Sequence, residues 1–412
     1  MSTSPGTPQT QRFEQKREAI LDAAARLFNE KGLKGATLSE VAQSVGLITT
    51  SVTYYYKKKD DLAAACLLRA TEALDDLISE AEVLPTPEAK LRNFLQRFFA
   101  MLAEIAEGRR PEIVNFYDIF ALTGQHAEQV FAGYTALFRR VRQLFRAEGD
   151  EVFTRPQQNA RAHLLLHLIL WSRHWVTRYE PEDYPRAAER MTDILLNGLG
   201  APGSVWAPPP LPDPAPPESS AQEISREAFL RAATQLVNEQ GYHGASVERI
   251  SARLNVTKGS FYHHNETKAD LVGDCFERSF DIIRRAQRAA MQTSASGWEE
   301  LTAAADALVR YQLSEHGPLL RYTALNAMPE NLRPQAVATL NRLSERFAGI
   351  IVDGIADGSI RAVDPSVAAQ LVNGMTSAAA DLTRWVKDAT ADTAPELFAR
   401  PLFEGLLTPP RG

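Results

Sequence analysis

The sequence predicts an all-α protein of two tandem units, each a three-helix helix-turn-helix head followed by a helical bundle, with a proline-rich linker between the units. Three observations carry this. Apolar residues recur at helical spacing, as in Leu91, Phe94, Leu95, Phe98, Leu102 and Ile105, and strand-like alternation is nearly absent. The stretch from Gly200 to Glu223 holds eight of the 24 prolines, a composition that dictates extended, polyproline-like chain. The flanks of that stretch are copies of each other: at an offset of 209, residues 19–62 fall on 228–271 without a gap, and 14 of the 44 positions are identical. The same offset pairs Cys66 with Cys275, Gly108 with Gly317, Gly149 with Gly358 and Pro156 with Pro365. The repeat is therefore domain-sized, a fused pair and not a solenoid.

Length and composition bound the rest. A chain of 412 residues exceeds what one hydrophobic core organises. The expected domains are an N-terminal tail (1–14), a first head (15–62), a first bundle (63–199), the linker (200–223), a second head (224–271) and a second bundle (272–408). A net charge of -6 excludes a polycation, so any nucleic-acid surface is local. Two cysteines form no disulfide framework and suit a reducing cytoplasm, the expected location. The N-terminus lacks the apolar core of a signal peptide, and no apolar run is long enough to span a membrane.

Each head opens with three short helical stretches. In the first copy, Ala19, Ile20, Ala23, Ala24, Leu27 and Phe28 share one face, and Gly32 and Gly35 end the helix. A second helix starts at Thr37, where Thr37-Leu-Ser-Glu40 has capping-box spacing, and stops at Gly46. A third follows after a tight turn, which is helix-turn-helix spacing. Such a motif sets the start of its last helix against base edges in a major groove. Thr49 and Thr50 can reach bases and thymine methyls, Lys258 a guanine or a phosphate, and Gly259 permits close backbone approach. Thr37, Ser246, Tyr54, Tyr55, Thr257, Tyr262, His263 and His264 offer polar tips for phosphates, and Lys59 and Lys268 offer charge. Residues 12–62 hold nine Lys and Arg against seven Asp and Glu, a local balance of +2 in an acidic chain.

The runs GLITTSVTYYYKKKDDL from Gly46 and NVTKGSFYHHNETKADL from Asn255 resemble the recognition-helix signature of the TetR family of transcription regulators. The second copy matches at Val256, Lys258, Gly259, Phe261, Tyr262, His264, Lys268, Asp270 and Leu271. The first matches at Gly46, Val52, Lys59, Asp61 and Leu62, with Tyr56 in place of a phenylalanine. The first copy departs from the pattern at Thr49, Thr50 and Thr53, the second at Asn255 and Asn265. Because the two reading helices differ, a fused pair is expected to prefer an imperfect palindrome.

The resemblance implies two TetR-like units in which the region after each head binds a small molecule and dimerises through its last two long helices. Those helices correspond to about 158–179 with 185–199, and 365–388 with 395–407. Pairing of the two units within one chain is the simplest arrangement, since the linker reaches ~70 Å against a unit ~40 Å across. Two chains pairing copy to copy, with four heads, is the alternative. For a hydrophobic or aromatic effector the first unit offers Phe98, Phe116, Tyr117, Phe120 and Tyr134, and the second Tyr311, Tyr322 and Leu325. His163, His167, Trp171, His174 and Arg178 form a stripe that reads as a pairing surface, without the third ligand a metal site needs. Cys66 and Cys275 read as small buried hydrophobes. Neither a cofactor motif nor a catalytic constellation is present. The expected function is a ligand-responsive repressor binding a double-stranded DNA operator. The alternative is a small-molecule-binding protein of the same fold with one or both heads degenerate.

Overall fold

The computed structural model describes residues 8–116, 119, 122, 124–146, 152–215, 221–257, 267–328 and 333–409. In the first unit a head of α1 (Pro8–Gly35), α2 (Leu38–Ser44) and α3 (Thr49–Tyr55) feeds α4 (Lys59–Glu82), the helix that joins it to the bundle. The bundle comprises α5 (Pro87–Ala106), α6 (Ala127–Gln143), α7 (Arg155–Trp175) and α8 (Tyr184–Asn197). Among the described residues, with the counterpart of α3 outside them, the second unit follows the same order: α9 (Ala221–Gly244), α10 (Val247–Arg253), α11 (Lys268–Thr293), α12 (Gly297–Leu313), α13 (Arg333–Ala356) and α14 (Pro365–Ala379). After α14 comes a short α15 (Leu382–Trp385), and the last helix of the second unit opens on a π-helical turn (Pro395–Ala399) that runs directly into α16 (Arg400–Glu404).

The repeat extends to individual hydrogen bonds. Cys66 Sγ donates to the Leu21 carbonyl and Cys275 Sγ to that of Leu230. Burial raises both thiols to about 12, so neither is a thiolate. Arg69 pairs with Glu18 and Arg278 with Glu227, tying each fourth helix to the first helix of its head. At the turn after the second helix, Gly46 (φ 67) and Asn255 (φ 55) both take the left-handed conformation. Asparagine is among the few residues besides glycine that enter it readily. The second copy thus keeps the turn while losing the glycine.

The two units pair inside the chain. α7 packs against α14, and Gly374 makes this approach close, since a Cβ there would lie 2.7 Å from Trp171 Cδ1. The predicted stripe on α7 faces the second unit. His163 Nε2 lies 2.9 Å from the Ala378 carbonyl, the Trp171 ring 5.3 Å from Tyr322, and Arg178 donates to Asn341 at 2.7 Å. Backbone bonds from Leu199 to the Phe403 carbonyl (2.8 Å) and from Leu406 to the Leu195 carbonyl (2.7 Å) seal the ends of α8 and α16 in near-reciprocal fashion.

Two expectations change. Helix α1 begins at Pro8, so residues 8–14 are helical and not a tail; Phe13 there lies on Tyr55, with ring centroids 4.7 Å apart. The proline-rich segment has no regular structure through 215, but it docks on the second unit. Gly200 bridges to Ile360, and Trp206 is buried against Phe403. Composition encoded the extended backbone; the docking depends on Trp298 and Phe403, about one hundred and two hundred residues away.

Candidate nucleic-acid interface and effector cavity

In the first head, buried Ile20, Ala24, Phe28, Val41 and Val52 hold α1, α2 and α3 around a small core. That packing turns the other face of α3 outward. Thr49 and Thr50 at its start are exposed, Tyr54 is 76% exposed and Tyr55 is half-buried beneath Phe13. Ile48, at the N-cap, is 71% exposed, an apolar side chain at the head's surface that sequence reasoning did not single out. Lys57 and Lys58 flank the far end and are exposed.

Other predicted contact residues serve the head itself. Thr37 is the N-cap of α2: its hydroxyl accepts from Glu40 N (3.2 Å), and Glu40 accepts from Thr37 N (2.9 Å). Hydrogen bonds from Lys31 and Thr37 lower the Glu40 carboxyl to about 2. Ser246 caps α10 through Arg249 N. Lys59 was expected at a phosphate. Instead its ammonium donates to the carbonyls of Lys34 (2.9 Å) and Ala36 (3.0 Å), closing the end of α1, and burial lowers its pKa. Lys268, its counterpart, lies 4.2 Å over the Tyr242 ring and is likewise lowered by burial. Their place at the start of α4 and α11, facing the carbonyl end of the preceding first helix, is the signal that would have assigned them to the fold. Thr257 is exposed. Lys258, Gly259, Tyr262, His263 and His264 lie outside the described residues, as do Tyr117 and Phe120.

An equivalent asparagine helps fasten each head to its bundle. Asn29 donates to the Ile113 carbonyl and accepts from Asn115 N (2.9 and 2.8 Å). Asn238 donates to the Leu319 carbonyl and accepts from Arg321 N (2.9 and 3.0 Å). The heads also touch: the ends of α1 and α9 meet where a Cβ on Gly35 would lie 2.8 Å from the His243 ring.

The predicted effector residues that the structure describes do not form one site. Phe98 is in the core of the first bundle, edge-on to Phe99, and Leu325 is buried. Tyr322 is tilted against Trp171, and the Tyr311 hydroxyl donates to the His316 carbonyl (3.0 Å). Phe116 and Tyr134 do come together, with centroids 5.1 Å apart, and meet Trp385 of the second unit. They border a cavity of about 50 Å³ between the units, shared with His163, His167, Arg321 and Asp381. Burial holds His163 below its usual range and brings His167 down to about 3. Burial opposes ionisation of Asp381, yet the Arg321 guanidinium against it keeps the carboxyl below its usual value.

A head that shows a short exposed helix after a tight turn, with its first two helices and that turn repeated later in the same chain, and fastened to paired helical bundles, defines a helix-turn-helix transcription regulator of dimeric design. The family model described as "Bacterial regulatory proteins, tetR family" matches twice, at residues 20–66 and 229–275, and the "Tetracyclin repressor-like, C-terminal domain" matches residues 294–397. The chain belongs to the TetR family, as a tandem-duplicated member.

Among its relatives, the transposon Tn10 TetC protein of Escherichia coli is 24% identical over 36% of this chain and 74% of its own length. The repressor KstR2 of Rhodococcus jostii is 26% identical over 49% of this chain and 98% of its own. The repressor DhaR of a Mycobacterium species is 25% identical over 33% and 70%. Among solved structures, apo AibR covers 45% of this chain and 99% of its own at 22% identity and a TM-score of 0.36.

Proposed function

We propose that this protein is a ligand-responsive repressor that grips an imperfect palindromic operator with the two unlike heads of a single chain. The observation that carries the reading is the outward face of α3, with exposed Thr49, Thr50 and Tyr54, on a head joined covalently and by direct contact to a second, non-identical head. Thr49 and Thr50 read base edges, and Tyr54, Lys57 and Lys58 hold phosphates. Operator binding requires the reading helices to sit roughly 34–36 Å apart, one helical turn of DNA. The repressor sign follows the naming of the relatives DhaR and KstR2. The effector is a hydrophobic or aromatic compound that parts Phe116, Tyr134 and Trp385, since the space of about 50 Å³ between them is too small to hold one as it stands. These rings belong to both units, so an occupant changes the pairing and, through the asparagine fastenings, the head spacing.

The test is fluorescence anisotropy of the full chain on a duplex from its own upstream region. Expected is saturable, salt-sensitive binding, with the double variant Thr50→Ala/Tyr54→Ala weakened at least tenfold while its thermal unfolding is unchanged. Unaltered affinity in that variant removes the assignment of α3. No specific binding there or across a random-sequence selection overturns DNA binding.

A further inference from the structure

The docked linker encloses space. Its first anchor is dense: Ser204 donates to the Ser359 carbonyl (3.1 Å), the Val205 carbonyl accepts from Trp298 Nε1 (3.0 Å), and Trp206 N donates to Glu404 (2.8 Å). Its second anchor is Leu211, Pro214 and Ala215, which return to the core. Between the anchors, prolines hold the chain extended, so it bridges α12 without filling the groove beneath. The result is a cavity of about 610 Å³, which falls within the range of small-molecule sites and far exceeds the packing voids of a protein interior.

Its chemistry is one-sided. Trp206, Leu211, Ala307 and Tyr311 give apolar and aromatic wall, and the carboxylates Asp213, Asp306, Asp392 and Glu396 stand around it. Arg310 is the cation among the lining residues, and it is held between Asp306 (2.7 Å) and Asp392 (2.8 Å). Glu396 shares Arg400, just outside. Among the lining residues, four carboxylates face a single guanidinium. Asp306 is nine-tenths buried, and burial raises its carboxyl even with Arg310 beside it.

We infer that the cavity under the linker is a binding site for a bulky organic cation, an aromatic or lipophilic body carrying one positive charge. The carboxylates attract the charge, the apolar wall contacts the lipophilic body, and an anion of the same shape is repelled. The site is distinct from the cavity between Phe116, Tyr134 and Trp385, and it does not depend on DNA binding. Because the linker leads into α9, the first helix of the second head, an occupant lies on the covalent path to that head.

The test uses the full-length protein without DNA and two probes of matched shape and opposite charge, tetraphenylphosphonium and tetraphenylborate. Calorimetry gives affinity, and quenching of Trp206, read against Trp206→Phe, gives location. Expected is saturable tetraphenylphosphonium binding with Trp206-dependent quenching, and tetraphenylborate at least tenfold weaker. Asp306→Asn and Ala307→Phe each lower the cation's affinity at least tenfold. Asp392→Asn, at an exposed side chain whose loss leaves the fold intact, lowers it about threefold. Equal binding of both probes overturns the ligand class. Absence of saturable binding, or binding indifferent to Asp306→Asn, Ala307→Phe and Asp392→Asn, overturns the site. Either result leaves the operator reading untouched, just as failure to bind DNA leaves this one.

Discussion

The two heads repeat each other down to single hydrogen bonds, whereas the two sides of the pairing surface do not. Asn29 and Asn238, Cys66 and Cys275, and Gly46 and Asn255 perform the same tasks. On the pairing surface, by contrast, the first unit supplies His163, His167 and Trp171, and the second supplies Gly374, Asp381 and Arg321. At the 209-residue offset, Gly374 corresponds to Leu165, Asp381 to Ser172, and His163 and His167 to Val372 and Thr376. A homodimer interface must be self-complementary, every residue serving both sides. Fusion removes that demand. If the first unit paired with a copy of itself, Trp171 would meet Leu165 where it now has a glycine. The asymmetry therefore favours pairing of unlike units and keeps the heads in one molecule.

That contrast can be broken at graded cost. The largest effect is expected from Asp381→Ala, which leaves Arg321 buried without its partner; losing one member of such a pair costs about 3–5 kcal/mol, read by denaturant unfolding. Ser172→Ala, at the corresponding position, should cost far less. Gly374→Leu forces a side chain into Trp171 and is expected to cost about 1–3 kcal/mol and to weaken operator binding, while Leu165→Gly should not open a new pairing.

Acid should loosen the first unit's side. Burial lowers His167 to about 3 and His174 to about 4, below the ordinary value near 6.5, so the unfolded chain takes up protons first as pH falls. Stability is complete above about pH 6.5 and declines below it, by up to about 1.4 kcal/mol per pH unit for each histidine. Melting curves from pH 7 to 5 measure this, and His167→Gln should flatten the slope.

The smallest effect sharpens the comparison of the heads. Thr37→Ala removes a reciprocal cap with Glu40 and is expected to cost about 1 kcal/mol; Ser246→Ala, whose third helical residue is Arg249, should cost less. The Glu40 contribution is present above the ordinary carboxylate range and is lost as pH falls toward 2.

Much of this was legible in the residues. Helical periodicity, the offset of 209 and the capping box at Thr37 specify two helical units with their heads, because these signals are local or repeated. The stripe from His163 to Arg178 was legible as a pairing face through its spacing. What escaped was set by contacts distant in sequence. Lys59 and Lys268 have the composition of phosphate binders but turn inward to the ends of α1 and α9. The aromatic residues proposed for an effector divide between core and cavity according to tertiary packing that periodicity does not encode. The prolines revealed an extended linker, but not that Trp206 docks it beside Phe403.

Native mass spectrometry of the full chain, alone and on its operator duplex, tests the central claim most directly. One chain in solution and one chain per duplex is the predicted result, since the unlike pairing surfaces are satisfied within the molecule. Two chains per duplex, held together after Gly374→Leu has broken the α7–α14 contact, would contradict it and place the pairing between molecules.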